Sequence, residues 1–316
     1  VSLRVAVLDD YQQVAESQAD WSGRLPGAET VFFPRHIADP DELVAALAPF
    51  DVVVAMRERT AFPREVLRRL PRLRLLVTTG MRNASLDVAA AAEFGVLVCG
   101  TGGYPTGTSE LTWAMILGLV RGVAGDDARV RAGGWQQRVA PDLSGEVLGI
   151  VGLGRLGTQV AAVGAAFGMD VVAWSPHLTA ERAAEGGARL VGKDELFATA
   201  KVATVHMVLA EGTRGLIGDA ELGAMRAGSY LVNTSRFGLI EEEALRRALA
   251  GDRPAGVGLD VFDVEPLPDG HWLRTAPRTL LSPHMGYVTE QTYRIFYGDA
   301  VEDIAAWQAG APVRTL

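Results

Sequence analysis

Residues 147–157 read Val-Leu-Gly-Ile-Val-Gly-Leu-Gly-Arg-Leu-Gly. The apolar run Val147–Val151 reads as a buried strand, and it ends in Gly152, Gly154 and Gly157, the spacing G-x-G-x-x-G. Beyond it Val160, Val163, Gly164 and Phe167 recur on one side of a helical pattern that Gly168 stops. A second strand follows, Met169 to Trp174. Strand, glycine turn, helix, strand is the context in which this spacing binds a dinucleotide. Gly152 permits a tight turn, Gly154 lets a pyrophosphate approach the backbone, and Gly157 lets the helix lie close to the strand. Arg155 and Leu156 open that helix, whose free N–H groups favour an anion. The spacing alone is weak in a chain with 36 glycines. Its flanks distinguish it from an ordinary βαβ turn.

Outward from this unit the βα rhythm continues in both directions. Upstream, strands are expected at Arg4–Leu8, Glu29–Phe33, Asp51–Met56, Leu73–Thr78 and Val96–Cys99. Helices are expected at Pro40–Leu47, with Asp39 as its cap, and at Pro63–Leu70 and Leu86–Phe94. Gly100–Gly107 breaks the rhythm, and a long apolar helix follows at Ser109–Val120. Downstream, strands are expected at Val202–Met207, Ser229–Asn233, Gly256–Asp260 and Thr279–Ser282. With the first two they make six, the number in a full dinucleotide fold. A last helix spans Thr289–Gln308. The expected class is α/β, with two doubly wound parallel-sheet domains.

Composition bounds the function. The chain of 316 residues is 48% hydrophobic and 22% charged, long enough for two globular domains. A net charge of −8 without any basic run argues against a nucleic-acid partner. An anionic substrate must therefore be met by local arginines. No apolar stretch approaches membrane-spanning length, and no metal-ligating set is evident. Cys99 is the only cysteine. It closes an apolar run and reads as a core residue. A lone cysteine, and a first strand beginning almost at residue 1, lead us to expect a cytoplasmic protein.

Three strand ends of the second series carry candidate chemistry. Arg236 follows Leu231–Asn233, Glu265 follows Gly256–Asp260, and His284 follows Thr279–Ser282. Ligands collect at such carboxyl ends. A histidine can exchange a proton with a hydroxyl or carbonyl oxygen, and a neighbouring carboxylate fixes its tautomer. An arginine can hold a substrate carboxylate. Taken singly, each also reads as an ordinary loop residue.

Together the segments VGLGRLG (151–157), LVNTSRFG (231–238), GLDVFDVEP (258–266) and SPHMGY (282–287) resemble the D-isomer-specific 2-hydroxyacid dehydrogenase family. The resemblance covers essentially the whole chain. It implies a flavodoxin-like substrate domain over 1–103 and 287–316, and a Rossmann dinucleotide-binding domain over 104–286. It implies that Arg236 binds the substrate carboxylate and carbonyl, and that Glu265 pairs with His284 as the acid/base. It matches Thr79 and Gly80 to the loop whose amides cradle the substrate carboxylate. Met56–Thr60 resembles a phosphoglycerate dehydrogenase segment, which would set Arg57 against the substrate's distal anion. Thr108 matches the segment beside the nicotinamide and Asp260 the aspartate that contacts its carboxamide. Arg155, Leu156, Val208, Thr213 and Thr234 are further implied cofactor contacts. A homodimer through the long helix is implied as well.

Two departures bear on chemistry. NAD-using members end the second cofactor-domain strand in an acidic residue, where Ser175 stands here. That removes a charge that would repel a 2′-phosphate and leans the expectation from NAD toward NADP. The arginine that often follows is Pro176, leaving His177, Thr179 and Arg182 as substitutes. Glutamate at 265, where formate dehydrogenases carry glutamine, favours reversible 2-oxo acid chemistry. The expected activity is hydride transfer between a nicotinamide cofactor and a small 2-oxo or D-2-hydroxy acid. The alternatives are a dinucleotide-sensing corepressor with little turnover, and phosphite oxidation.

Overall fold

The computed structural model describes residues 2–316. It divides into two compact units, one of residues up to Tyr104 together with Thr289–Leu316, the other Pro105–Val288.

The first unit is a five-stranded parallel sheet. Its strands are β1 (Arg4–Val7), β2 (Glu29–Phe32), β3 (Val52–Ala55), β4 (Leu75–Thr78) and β5 (Leu97–Gly100), in the order β2-β1-β3-β4-β5. Helices α1 (Ala15–Gln18), α2 (Trp21–Arg24), α3 (Pro40–Leu47), α4 (Arg64–Leu67) and α5 (Val88–Glu93) connect them. The Asp39 carboxylate caps α3 by accepting from the Asp41 and Glu42 amides. Ala6, Val53, Leu76 and Val98 stand in register on one face and are buried with Leu43, Leu47, Phe62 and Leu67.

The second unit carries a seven-stranded parallel sheet, ordered β12-β11-β10-β9-β6-β7-β8. The strands are β6 (Val147–Val151), β7 (Asp170–Trp174), β8 (Arg189–Leu190), β9 (Val202–Val205), β10 (Tyr230–Asn233), β11 (Gly256–Leu259) and β12 (Thr279–Leu281). Six strands are legible from the sequence. The seventh, β8, is a two-residue edge strand too short to show a period. Among the described residues the unit's helices are α6 (Gly107–Arg121), α7 (Val123–Arg131), α8 (Arg155–Ala166), α9 (Ala180–Glu185), α10 (Lys193–Thr199), α11 (Asp219–Ala224) and α12 (Glu242–Ala250). The long helix expected at Ser109–Val120 ends at a left-handed Gly122, φ 59°. The unexpected α7 follows, and it buries no residue. Trp113, Ile116 and Val160 from α6 and α8 cover one face of the sheet. Leu196, Phe197, Leu222 and Leu245 from α10–α12 cover the other.

The chain returns to the first unit with α13 (Glu290–Gln308). α13 buries Tyr293, Phe296, Tyr297, Val301 and Ile304. The tail then pairs with β5: the Leu316 amide donates to Val98 and the Gly100 amide to Arg314, at 3.0 and 2.9 Å. Cys99 lies fully buried beneath it, and burial pushes its thiol up to about 11. No helix among the described residues is long and apolar enough to cross a membrane.

Candidate active site

Two of the three glycines of the 152–157 turn have a steric reason. Gly152 adopts φ +98°, and a Cβ there would lie 2.8 Å from the His206 carbonyl oxygen. A Cβ on Gly157 would lie 2.3 Å from the Gly152 carbonyl oxygen, so the helix start and the turn are in near contact. Gly154 is different, for nothing lies within 4 Å of the space its side chain would fill. It is also the N-cap of α8 and supplies no side-chain bond, which leaves the first amides of that helix, at Arg155 and Leu156, open. A left-handed turn, an open backbone face and an uncapped twelve-residue helix fit a dinucleotide's pyrophosphate.

Parallel register brings the catalytic candidates to one edge. Asn233 pairs with Leu259 and Leu259 with Leu281, so β10, β11 and β12 end together. His284 Nδ1 lies 2.5 Å from Glu265 Oε2, while Glu265 Oε1 accepts the Phe262 amide at 2.9 Å. His284 has φ 55°, left-handed for a residue with a Cβ. What holds it there is Asp260, whose two carboxylate oxygens accept the Met285 and Gly286 amides at 2.8 and 2.9 Å. Asp260 is fully buried, and that burial raises its carboxyl above the usual range against the opposing hydrogen bonds. The Thr108 hydroxyl donates to the Gly286 carbonyl at 3.0 Å and fastens the same loop to α6. The Tyr287 ring stands edge-on to His284, centroids 5.3 Å apart. Asn233 shapes the Arg236 loop: its Oδ1 accepts from the Ser235 amide and its Nδ2 donates to the Arg236 carbonyl, both at 2.9 Å. The Arg236 guanidinium donates to the Ser235 carbonyl at 2.7 Å.

The remaining cofactor-side candidates are held as follows. Thr234 is buried and shares a 2.8 Å bond with Thr112 of α6. Thr213 donates to the Val208 carbonyl at 2.7 Å, and Val208 is 75% exposed. Ser175 follows β7 and is half-buried, with His177 and Arg182 exposed beyond it. Thr179 is committed to capping α9 through the Arg182 amide. His206, on the far side of Gly152, is driven down to about 4 by burial and is neutral at pH 7. Its Nε2 bonds Thr204 at 3.0 Å, and its buried Nδ1 has no partner.

On the first unit, Thr79 and Gly80 follow β4, with Gly80 at φ +88°. Arg57 folds over them, its amide donating to Thr79 Oγ1 and its Nη1 to the Thr79 carbonyl, at 2.9 and 3.0 Å. A Cβ on Gly80 would collide with that guanidinium. The Thr79 amide donates to the Ala55 carbonyl at 3.0 Å and the Gly80 amide to Thr101 Oγ1 at 2.8 Å, so the first amide of the loop without an acceptor among the described residues is that of Met81.

The sequence pattern of the D-isomer specific 2-hydroxyacid dehydrogenase NAD binding domain matches residues 113–286. The chain belongs to the D-isomer-specific 2-hydroxyacid dehydrogenase family. It is 34% identical over 256 residues to a glyoxylate reductase of Aeropyrum pernix, covering 78% of this chain and 76% of that one. It is 32% identical over 282 residues to a D-3-phosphoglycerate dehydrogenase of Bacillus subtilis, covering 88% of this chain and 53% of that one. The chain thus spans about half the length of the phosphoglycerate dehydrogenases it matches. The crystal structure of a phosphoglycerate oxidoreductase from Vibrio cholerae superposes with a TM-score of 0.92 at 34% identity, over 98% of this chain and 100% of that one.

In this dehydrogenase-family chain the second unit is the NAD-binding Rossmann domain. Several residues that shape the site escape a sequence reading: Asn233, which frames the Arg236 loop, Tyr287 against His284, and Asn83, which donates to the Arg57 carbonyl at 2.7 Å. Asn233 and Tyr287 sit inside the quoted motifs. Asn83 has no comparable signal.

Proposed function

We propose that this chain transfers hydride reversibly between a nicotinamide cofactor and a small 2-oxo acid or its D-2-hydroxy acid. The observation that carries the reading is the 2.5 Å pairing of His284 with Glu265 at the strand edge that also carries Arg236. With Nδ1–H directed at the carboxylate, His284 Nε2 is left to exchange a proton with the substrate oxygen. Glu265 fixes the tautomer and stabilises the charged ring when it holds the proton. Arg236 holds the substrate carboxylate and polarises the carbonyl. Thr79, Gly80 and Arg57 are assigned to the substrate, with the Met81 amide as their open donor. Bound nicotinamide supplies the hydride, so the protein's task is to orient the acid and deliver the proton.

On the cofactor side we assign the pyrophosphate to Gly152, Gly154, Arg155, Leu156 and Gly157, and the adenosine ribose to Ser175. Val208 and Thr213 line the adenine side, and Thr108 and Thr234 the nicotinamide. Asp260 acts through the Met285–Gly286 backbone that it holds. Ser175 carries no charge against a 2′-phosphate, and exposed Arg182 lies in the next helix. Both favour NADPH over NADH. The cofactor domain matched in the family binds NAD. The test is turnover of a 2-oxo acid panel with each cofactor, followed by nicotinamide absorbance. Binding without turnover would instead place the chain with dinucleotide sensors.

We assign the partner as a second copy of the chain. Val123, Val130, Trp135 and Val139 are 54–99% exposed on the segment around α7, which buries none of its residues. Sedimentation should give a dimer, and Trp135→Glu should weaken it. The single, buried cysteine accords with a reducing, cytoplasmic setting.

A further inference from the structure

β5 is the last strand of the first unit's sheet, and its outer edge would by itself offer unpaired backbone groups. The tail after α13 covers it as a short antiparallel segment. Thr315 is bridged to Cys99, the Gly100 amide donates to the Arg314 carbonyl, and the Leu316 amide donates to that of Val98. A short tail with so few backbone bonds stays ordered only where something ties it down. Arg314 does so, at φ 48°, left-handed despite its Cβ and therefore held by its surroundings. Its guanidinium spans one turn of α13. Nε donates to Asp303 Oδ1 at 3.0 Å, and Nη2 donates to the Asp299 carbonyl at 3.0 Å and to Glu302 Oε2 at 2.7 Å.

The same turn of α13 grips the segment into which β5 leads. Asp299 Oδ2 accepts the Gly102 amide at 2.8 Å. Gly100 is thus held by the tail and Gly102 by α13, and Thr101 stands between them, fully buried. The Thr101 hydroxyl works in both directions: it donates to the Gly102 carbonyl at 3.0 Å and accepts the Gly80 amide at 2.8 Å. Gly80 is the left-handed residue of the loop after β4, so the setting of its peptide decides where the next amide, at Met81, points. The packing is close as well. A Cβ on Gly100 would lie 2.9 Å from the Gly80 carbonyl oxygen and 3.1 Å from Met81 Cα. A shift at the end of β5 is therefore passed directly to the Gly80–Met81 peptide.

We propose that Arg314 and Thr101 are positioning residues for substrate binding. Arg314 locks the tail and the end of β5 to α13, and Thr101, held there, aims the Met81 amide at the substrate carboxylate. Neither side chain touches the substrate. The proposal rests on the reading of the Thr79–Gly80 loop as the carboxylate end. Every bond of the relay lies within the first unit, so it bears on substrate affinity and not on the cofactor or on the proton step at His284.

The experiment is steady-state turnover of the best 2-oxo acid of the panel by the full chain, in wild type, Arg314→Ala, Arg314→Lys and Thr101→Val. Cofactor dissociation constants and amide hydrogen exchange are measured alongside. We expect Arg314→Ala and Thr101→Val each to raise the substrate KM about three- to tenfold, the worth of one hydrogen bond. Unchanged kcat and cofactor affinity should accompany it, the pattern of lost binding rather than lost chemistry. Exchange of the Gly80 amide should quicken in both. Arg314→Lys keeps a cation for Asp303 but not the fork, and its KM should fall between. Arg314→Ala strands a buried carboxyl group, and if it does not fold, the isosteric Thr101→Val carries the test alone. A wild-type KM in folded Arg314→Ala or in Thr101→Val overturns the proposal and leaves the dehydrogenase reading intact. So does a loss of kcat or cofactor affinity as large as the rise in KM, since general loosening of the fold would do that. Absence of turnover by wild type with every 2-oxo acid overturns the parent reading, and this one with it.

Discussion

Asp260 and His284 are coupled through backbone. Both Asp260 oxygens accept amides from the two residues that follow His284, at 2.8 and 2.9 Å, and so fix the left-handed turn that presents the imidazole. His284 is thereby held on both sides, by Asp260 through its loop and by Glu265 through its ring.

Asp260→Asn replaces one acceptor by an amide that faces another N–H. A buried unsatisfied donor costs about 1–3 kcal/mol, so the melting temperature should fall by several degrees. Because the affected loop carries His284, kcat should fall with cofactor affinity largely kept. Thermal melts and cofactor titration on the same sample check both. A variant with the wild-type kcat would show that the loop places His284 without Asp260.

Arg236→Lys keeps the charge but loses the planar fork that meets a carboxylate with two parallel bonds. We expect kcat/KM to fall strongly for a 2-oxo acid and much less for its amide analogue, which lacks the carboxylate. Equal losses on both would mean that Arg236 is not the carboxylate clamp.

Ser175→Asp places a carboxylate where the adenosine ribose is assigned. It should swing preference toward NADH by repelling the 2′-phosphate. The measurement is kcat/KM for both cofactors in both proteins. Wild type strongly preferring NADH, with the variant unchanged, would show that this position does not read the ribose.

Asp303 of α13 is fully buried, with Oδ1 bonded to Arg314 at 3.0 Å and Oδ2 unpartnered. Burial pushes its carboxyl up to about 7, opposed by Arg314. The folded chain thus holds this proton more tightly than the unfolded chain, where the group titrates near 3.8. Its contribution to stability is full below about 3.8 and is lost as pH rises through about 7. Melting temperature followed from pH 4 to 8 should decline across that window in wild type, relative to Asp303→Asn. Parallel curves would refute the assignment.

The sheets are legible in the sequence because buried parallel strands are short apolar runs bounded by turns, and the glycine turn is legible because its flanks have the right periods. β8 is not, since two residues carry no pattern, and α7 is not, since a helix without a buried face has no apolar stripe. The strand-end positions of Arg236, Glu265 and His284 are readable one by one. What supports them is not: Asp260 acts on amides 25 and 26 residues away, and Arg59 meets Tyr293 across 234 residues. Such partnerships are set by strand order, which a linear pattern does not contain. The bond from the Arg57 guanidinium to the Thr79 carbonyl likewise joins the ends of neighbouring strands β3 and β4.

The central claim is that His284, oriented by Glu265, moves the proton that accompanies hydride transfer to a 2-oxo acid. It is tested most directly by kcat of His284→Ala on the best substrate of the panel, with cofactor dissociation constants measured alongside. The account predicts a loss of about 10²–10⁴-fold in kcat with cofactor binding retained. A kcat near that of wild type would contradict it.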